Sequence, residues 1–485
     1  MMVVQDDIAF AQERELKNEI IYHILVDRFN NGNYENDEQV DVDNPNTYHG
    51  GDLEGIILKL DELKEMGITT ISLSPIMDNS EDGYHGYWIE DFYEVEEQFG
   101  TMEDMKTLVQ EAHHRDMKVI LEFVANYVSP NHSIVTDPNN QNWYKETSES
   151  GPDWLANTVK LNVENPEVEE YLIDVAKHWV TETGVDGLNL HAVDQAPINF
   201  LNNFTSAMKD FDPNLYLIGD TLLNDENADQ ILEETEIQAI ENNNLFEKIT
   251  DIFSSPDKPL SELHEAWEEE KREMDILYVD NKDTERFTQR FTENGRNAVT
   301  TWTLALTYLY TTPGVPVIYQ GSEIPMYGTT TEQVQSLVLF NSKDQDLQAS
   351  FKRIASIRSQ FPALQYGDYE LVDSSGAMSV FKRSYEDETI YVAINNDSES
   401  QYVTVSDIDE GMELRGYLGD NIVRENEDGG FRIGIPRESV EVYKLQPETG
   451  FNWGLIAFVV GILSLFVIAV VYLSIKQRKR LAEEE

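Results

Sequence analysis

This 485-residue sequence predicts an α/β fold, a TIM (β/α)8 barrel with a small inserted subdomain, followed by a C-terminal antiparallel β domain and a single transmembrane helix. Three observations carry the prediction. Short β-type apolar runs alternate with amphipathic helical runs through most of the chain, the pattern of a parallel sheet covered by helices. The hydrophobic period then switches to two, as in half-buried antiparallel strands. Near the end lies a long apolar stretch without a charge.

The expected barrel strands are 20–26, 69–73, 118–123, 187–190, 216–218, 237–240, 276–278 and 316–319, of which 237–240 has the weakest pattern. Between them, 55–66, 102–115 and 166–183 have helical periodicity, and Asn165-Pro166 supplies a cap and a first-turn proline for the last. Eight strands with intervening helices place the barrel at 1–365. Residues 127–160, rich in Asn, Ser, Pro and Asp, are too long for a simple connection and read as the inserted subdomain. Segments 369–372, 378–383, 389–395, 401–405 and 439–445 alternate with period two and mark a β domain over 366–447.

Residues 453–475 carry no charge, and about 20 such residues cross a bilayer core. Lys476, Arg478, Lys479 and Arg480 follow, so 476–485 forms a basic tail, which the positive-inside rule places in the cytoplasm. The expected location is therefore the cell membrane, single-pass, with the body of the chain outside. The segment 1–19 is polar and acidic, without the basic and apolar regions of an export signal, so a signal peptide is expected upstream or already removed.

Ninety-one Asp and Glu against 35 Lys and Arg give a formal charge of −56, which excludes nucleic acid as a partner. With no cysteine there is no disulfide, thiol nucleophile or thiolate metal site. A hard cation bound by oxygen is the metal chemistry left open.

Strings from many parts of the chain resemble the α-amylase family of glycoside hydrolases. They are Ile21-Tyr-His-Ile-Leu-Val-Asp-Arg-Phe-Asn-Asn-Gly32, Tyr48-His-Gly-Gly-Asp52, Thr70-Ile-Ser-Leu-Ser-Pro75, Tyr84-His-Gly-Tyr-Trp88, Phe99-Gly-Thr101 and Gly314-Val-Pro-Val-Ile-Tyr319, in the family's order. The resemblance implies a barrel with three carboxyl groups at strand ends: a nucleophile, a proton donor and a third that binds the distorted sugar.

Most of those positions carry other residues. The nucleophile string reads Gly184-Val-Asp-Gly-Leu-Asn-Leu-His-Ala192, so His191 stands at the nucleophile position and Asn189 at that of its arginine partner. A neutral imidazole there cannot form a glycosyl ester. The general-acid position holds Asp220, one methylene shorter than the family's glutamate, while Asp283 keeps the third carboxylate beside Lys282, where the family has histidine. Glu122 opens the string that ends in Asn126-Tyr127, again without its histidine, and Asp194-Gln195 replace a Lys-His pair. The resemblance assigns sugar contact to Tyr84, His85, Tyr87, Trp88, Tyr127, Asn189, Asp194, Gln195 and Lys282. Packing of the second-strand loop explains the aromatic string equally well. Glu164 and Glu323 read as structural or solvated acids.

The resemblance also implies calcium. At the junction with the inserted subdomain, Lys160 replaces an anionic ligand, so that ion is expected to be absent. A second position matches Asn31, Asn33, Asn36, Asp37 and Asp52 with the Gly50 carbonyl, which are hard oxygen donors. An Asn/Asp-rich turn stabilised by its own side chains is the other reading. Together these observations point to a membrane-anchored pseudoenzyme that binds an α-glucan or maltooligosaccharide. The alternatives are an active α-glucan hydrolase or transglycosidase with altered machinery, or a scaffold for a membrane-protein partner, by analogy with the amylase-like heavy chains of amino-acid transporters.

Overall fold

The computed structural model describes residues 14–145, 151–223, 226–270, 272, 274–448 and 453–483. Most of the polar segment 1–19, the stretch just before the apolar helix and the last two residues lie outside these, as do the side chains of Arg478, Lys479 and Arg480.

Eight parallel strands form the barrel: β1 (Ile21–Ile24), β2 (Thr70–Leu73), β3 (Lys118–Phe123), β4 (Gly187–Leu190), β5 (Tyr216–Gly219), β6 (Ala239–Ile240), β7 (Ile276–Leu277) and β8 (Val315–Tyr319). Their order is β6-β5-β4-β3-β2-β1-β8-β7, and a parallel bridge between Glu241 and Ile276 closes the ring. The segment 237–240, weakest in the sequence, shortens to two residues because its pairing depends on β5 and β7 rather than on its own pattern.

Strand alternation sends every second residue inward. Ile21, Ile120, Tyr216, Ile218, Ala239, Ile276 and Val315 fill the interior in one cluster. One step higher, the same alternation presents His23, Glu122, Asn189, His191, Asp220, Glu241, Asp280 and Tyr319 at the C-terminal mouth, where the barrel stops being apolar. Outside, helix Met102–His114 starts with a reciprocal cap between Thr101 and Asp104. Helix Pro166–Thr183 is capped by Asn165 and ends at Gly184, whose φ of 75° suits a residue without Cβ. The stretch expected as one helix over 55–66 is two, Leu53–Ile57 and Leu60–Glu65.

The C-terminal domain contains β9 (Asp368–Ser375), β10 (Met378–Tyr385), β11 (Glu388–Asn395), β12 (Gln401–Val405), β13 (Met412–Gly416), β14 (Ile422–Arg424), β15 (Phe431–Ile435) and β16 (Ser439–Pro447). Its main sheet runs β9-β10-β11-β16-β13-β14, and the β12-β15 pair packs across it around Val380, Tyr391, Val403, Phe431, Ile433 and Tyr443. Strands β13, β14 and β15 were missed in the sequence because they are only three to five residues long and are set among acidic and glycine-rich turns. Helix Trp453–Glu483 follows, and its Ala457–Lys476 stretch is long and apolar enough to span a membrane, with none of it buried against the protein.

Buried arginines brace this end of the barrel, and one of them, Arg383, ties it to the C-terminal domain. Arg383 of β10, 1% exposed, donates to the Thr311 carbonyl at 2.7 Å and to Gly367 at 2.8 Å, and Arg358 donates to Tyr310 and Gly314 at 2.9 and 3.0 Å. Thr311 ends helix Ala298–Thr311, whose unpaired carbonyls carry negative partial charge. Arg383→Ala is expected to lower stability by about 1–3 kcal/mol for each carbonyl left dry, read as a shift in the urea midpoint.

Candidate active site

The barrel mouth opens into a cavity of about 1180 Å³ lined by His23, Tyr84, His85, Tyr87, Trp88, Trp154, Asn189, His191, Asp220, Glu241, Lys282 and Asp283 among others. At its floor His191, on the turn after β4, is 2% exposed. Its Nδ1 lies 3.1 Å from Glu122 Oε1 at the end of β3 and 3.0 Å from Asp220 Oδ1 after β5. Further donors converge on these carboxylates, while Glu122 Oε2 is buried without a hydrogen-bond partner among the described residues. Tyr87 donates its hydroxyl to Glu122 at 2.7 Å, the Ala192 N–H donates to Asp220 Oδ1 at 2.9 Å, and the Asn189 amide lies 3.4 Å from Asp220 Oδ2.

This arrangement corrects one expectation. Burial by itself disfavours a charged imidazole, but the Asp220 carboxylate and the hydrogen bonds that His191 donates to Asp220 and Glu122 outweigh it and raise His191 to about 10. His191 is an imidazolium at neutral pH, not a neutral ring. The same contact holds Asp220 below its ordinary range against the upward push of burial. Asp220 is therefore an anion committed to its neighbour, not a carboxylic acid ready to donate. The ligating atoms of Glu122, His191 and Asp220 are near enough to one another to hold a metal ion, and in the protonated state the Nδ1 hydrogen takes that central position.

Three rings meet over this cluster. Tyr87 lies 4.6 Å from His191 between centroids, and Trp154 stacks on Tyr87 at 4.4 Å and 24°. Trp154, which the sequence reading missed, comes from the 3-10 turn Asp153–Asn157 of the inserted subdomain, and its carbonyl accepts from Trp88 Nε1 at 2.8 Å. Its only signal was an aromatic residue inside a polar loop. His85 is buried and lowered to about 3 by desolvation, and its Nδ1 accepts the Tyr87 N–H. Tyr84 donates to Gln335 and carries the Arg28 guanidinium 3.9 Å from its ring centroid. Lys282 pairs with Asp283 and sits 5.3 Å from the Tyr87 centroid.

Not every residue assigned to sugar contact faces the cavity. Asp194 accepts the Leu222 and Leu223 N–H groups and the Gln195 amide, which fixes the loop after β5. Tyr127 is buried in the inserted sheet, edge-on to Trp154. Asn126 donates to the His191 and Ala192 carbonyls, and Lys160 sits 5.9 Å from the Tyr127 ring. Glu164 is exposed and pairs with Lys145. Glu323 is buried under the mouth, accepts the Tyr22 hydroxyl at 2.9 Å and is raised to about 7, first by burial. It is structural, not solvated.

In the first loop, Asp52 accepts the Gly32, Asn33 and Gly55 N–H groups and caps helix Leu53–Ile57. Asn33 likewise accepts the Glu35 N–H. Asn31 points its amide nitrogen at both oxygens of Asp37, 3.0 Å away, leaving its own Oδ1 buried without a hydrogen-bond partner. Gly50, at φ 90°, brings its backbone against both side chains, where a Cβ would lie 2.6 Å from the Asn31 amide. The orphaned Asn31 oxygen, the Asp37 carboxylate and the close Gly50 backbone fit a hard cation, whereas Asp52 and Asn33 already serve the turn. Asn36 begins no such contact through its side chain; its N–H bonds to the Asn33 carbonyl.

Residues 23–363 match the family described as Alpha amylase, catalytic domain, and residues 367–443 match the Alpha-amylase C-terminal domain. The chain belongs to the α-amylase family. It is similar to the crystal structure of an Anoxybacillus α-amylase, with 41% identity and a TM-score of 0.85 over 90% of this chain and 100% of that one. It is also similar to the α-amylase of Geobacillus thermoleovorans complexed with acarbose, at 39% identity and a TM-score of 0.84, with the same coverage. The Beta/alpha-amylase of Paenibacillus polymyxa is 29% identical over 455 residues, which are 87% of this chain and 37% of that protein, so this chain spans well under half of that relative.

His191→Asp, which restores a carboxylate at the nucleophile position, is expected to destabilise the chain by about 3–5 kcal/mol at pH 7, because Glu122 and Asp220 lose their buried cation. The folded value of His191 lies above the ordinary 6.5, so its stabilisation is complete below about that pH and fades as pH rises through about 10. Urea unfolding from pH 6 to 10 should show that alkaline loss in the parent and not in the variant.

Proposed function

We propose that this chain is an α-glucan-binding member of the α-amylase family that does not use the covalent double-displacement route. One observation carries the reading: the position that would attack the anomeric carbon holds a histidine clasped by two carboxylates, which favour its imidazolium form. A cation repels the oxocarbenium-like centre that the family's carboxylate would attract, and its lone pairs are taken by protons. Support for a glucan ligand comes from the relative bound to acarbose and from the aromatic and polar lining of the cavity. In this reading Ala457–Lys476 anchors the chain in a membrane, with the basic residues after it on the cytoplasmic side and the barrel outside.

We further propose that one calcium ion binds the first loop, with Asn31, Asp37 and the Gly50 backbone as its nearest holders. Its contribution would be structural, joining the loop after β1 to the segment before helix Leu53–Ile57.

The glucan reading is tested on the full chain in a detergent without a sugar headgroup. Saturable calorimetric binding of maltoheptaose is expected, with no mass increment after treatment with a fluorinated glucosyl fluoride that traps glycosyl-enzymes. A trapped glucosyl adduct, or no binding of maltoheptaose, overturns it. For the metal, calcium at a hundred times its dissociation constant should stabilise by about 2.7 kcal/mol in thermal melts. Chelation should remove the increment, and Asp37→Ala should abolish it.

A further inference from the structure

Asp220 is bound to His191, so a protein that still cleaves glycosides needs its proton donor elsewhere. Glu241 is the carboxyl that the barrel places next to it. In the β5-β6 register Ile218 pairs with Ala239 and Gly219 with Ile240, so the following residues, Asp220 and Glu241, emerge side by side. The Glu241 N–H donates to the Gly219 carbonyl at 3.2 Å, and its bridge to Ile276 closes the barrel, which fixes its backbone from both sides. Ala239 points into the interior cluster, so Glu241, two residues on, points inward as well and lines the cavity.

We propose that Glu241 is a catalytic proton donor for glycoside hydrolysis by single displacement, with Asp283 as the carboxylate that activates water. The proposal rests on the glucan-binding reading above and adds a reaction to it. The Glu241 proton passes to the glycosidic oxygen as the bond from that oxygen to the anomeric carbon breaks, and the leaving sugar departs as an alcohol. Water attacks the anomeric carbon and gives its proton to Asp283, so the product is a hemiacetal of inverted configuration. Solvent then takes the proton from Asp283 and returns one to Glu241. No covalent ester is required, so the route needs no carboxylate at position 191.

The charges around Glu241 suit this role. Burial first, then the carboxylates of Asp220, Asp283 and Glu122, raise it well above the usual carboxylate range, opposed by Lys282. Asp220, by contrast, is held as an anion by His191 and the Ala192 N–H. Neighbouring carboxyl groups pushed in opposite directions are the arrangement that separates an acid from a base. Asp283 is half exposed beside the Lys282 ammonium, within reach of solvent water.

The experiment uses the full chain in the same detergent, with maltoheptaose and α-maltosyl fluoride as substrates and proton NMR to identify the first-formed anomer. Cleavage with initial release of the β-anomer is expected. Glu241→Gln should lower maltoheptaose cleavage about 10²–10⁴-fold while leaving its binding intact. The same variant should still hydrolyse the fluoride, which leaves without needing a proton. Asp283→Asn should lose activity on both. Initial release of the α-anomer, unaltered maltoheptaose cleavage by Glu241→Gln, or a parent chain that binds maltoheptaose but cleaves neither substrate would overturn the proposal. The last outcome leaves the glucan-binding reading standing, whereas absence of binding removes that reading itself.

Discussion

The mouth of this barrel is organised around one buried proton, the one on Nδ1 of His191 between Glu122 and Asp220. Two carboxylates at the ends of β3 and β5, the strands on either side of β4, repel each other and lose hydration when buried, and neither cost is offset unless a cation lies between them. The imidazolium supplies that charge. The Tyr87 hydroxyl and the Ala192 N–H donate to the same Glu122 and Asp220 oxygens that His191 approaches, and the Asn189 amide lies beside the other Asp220 oxygen. The cluster orients Tyr87 and, through that ring, Trp154, and it leaves Glu122 Oε2, Asn189 Oδ1 and His191 Nε2 buried without a hydrogen-bond partner among the described residues.

The substitutions at these positions make sense as a set. A carboxylate at position 191 with an arginine at 189 places an anion next to its own cation. In this chain the cation has moved to 191 itself, the arginine has become the neutral Asn189, and the neighbouring acids on β3 and β5 act as its counter-ions. Restoring one residue alone would leave three carboxylates together without compensation. Such coupling also explains why Asp220 is unsuited to donate a proton, and why the next strand has the free carboxyl.

Much of the architecture was legible in the sequence because it depends on local periodicity. The runs at 118–123, 187–190 and 316–319 are apolar and bounded by turn residues, and each is a strand close to its expected limits. Helix Pro166–Thr183 was readable from its cap, its first-turn proline and Gly184. Where pairing with distant strands decides the outcome, the pattern was insufficient: β6 exists through its neighbours, and β13 to β15 are only three to five residues long, set among acidic and glycine-rich turns. At the site, His191, Asp220, Asp283, Lys282 and the Tyr84 to Trp88 string could be located by position. Glu241 could not, since a lone glutamate after a weak strand has no distinguishing neighbour in sequence.

The sequence by itself determined the layered plan, the apolar C-terminal helix and the exchange of residues at the strand ends, because each follows from side chains read in order along the chain. Only the tertiary structure decided the charge of His191, the engagement of Asp220, the overlying position of Trp154 and the inward direction of Glu241. The physical reason is that a proton's residence depends on the field of groups within a few ångströms. Here those groups come from β3, β4, β5 and the loop after β7, segments that only barrel closure brings together.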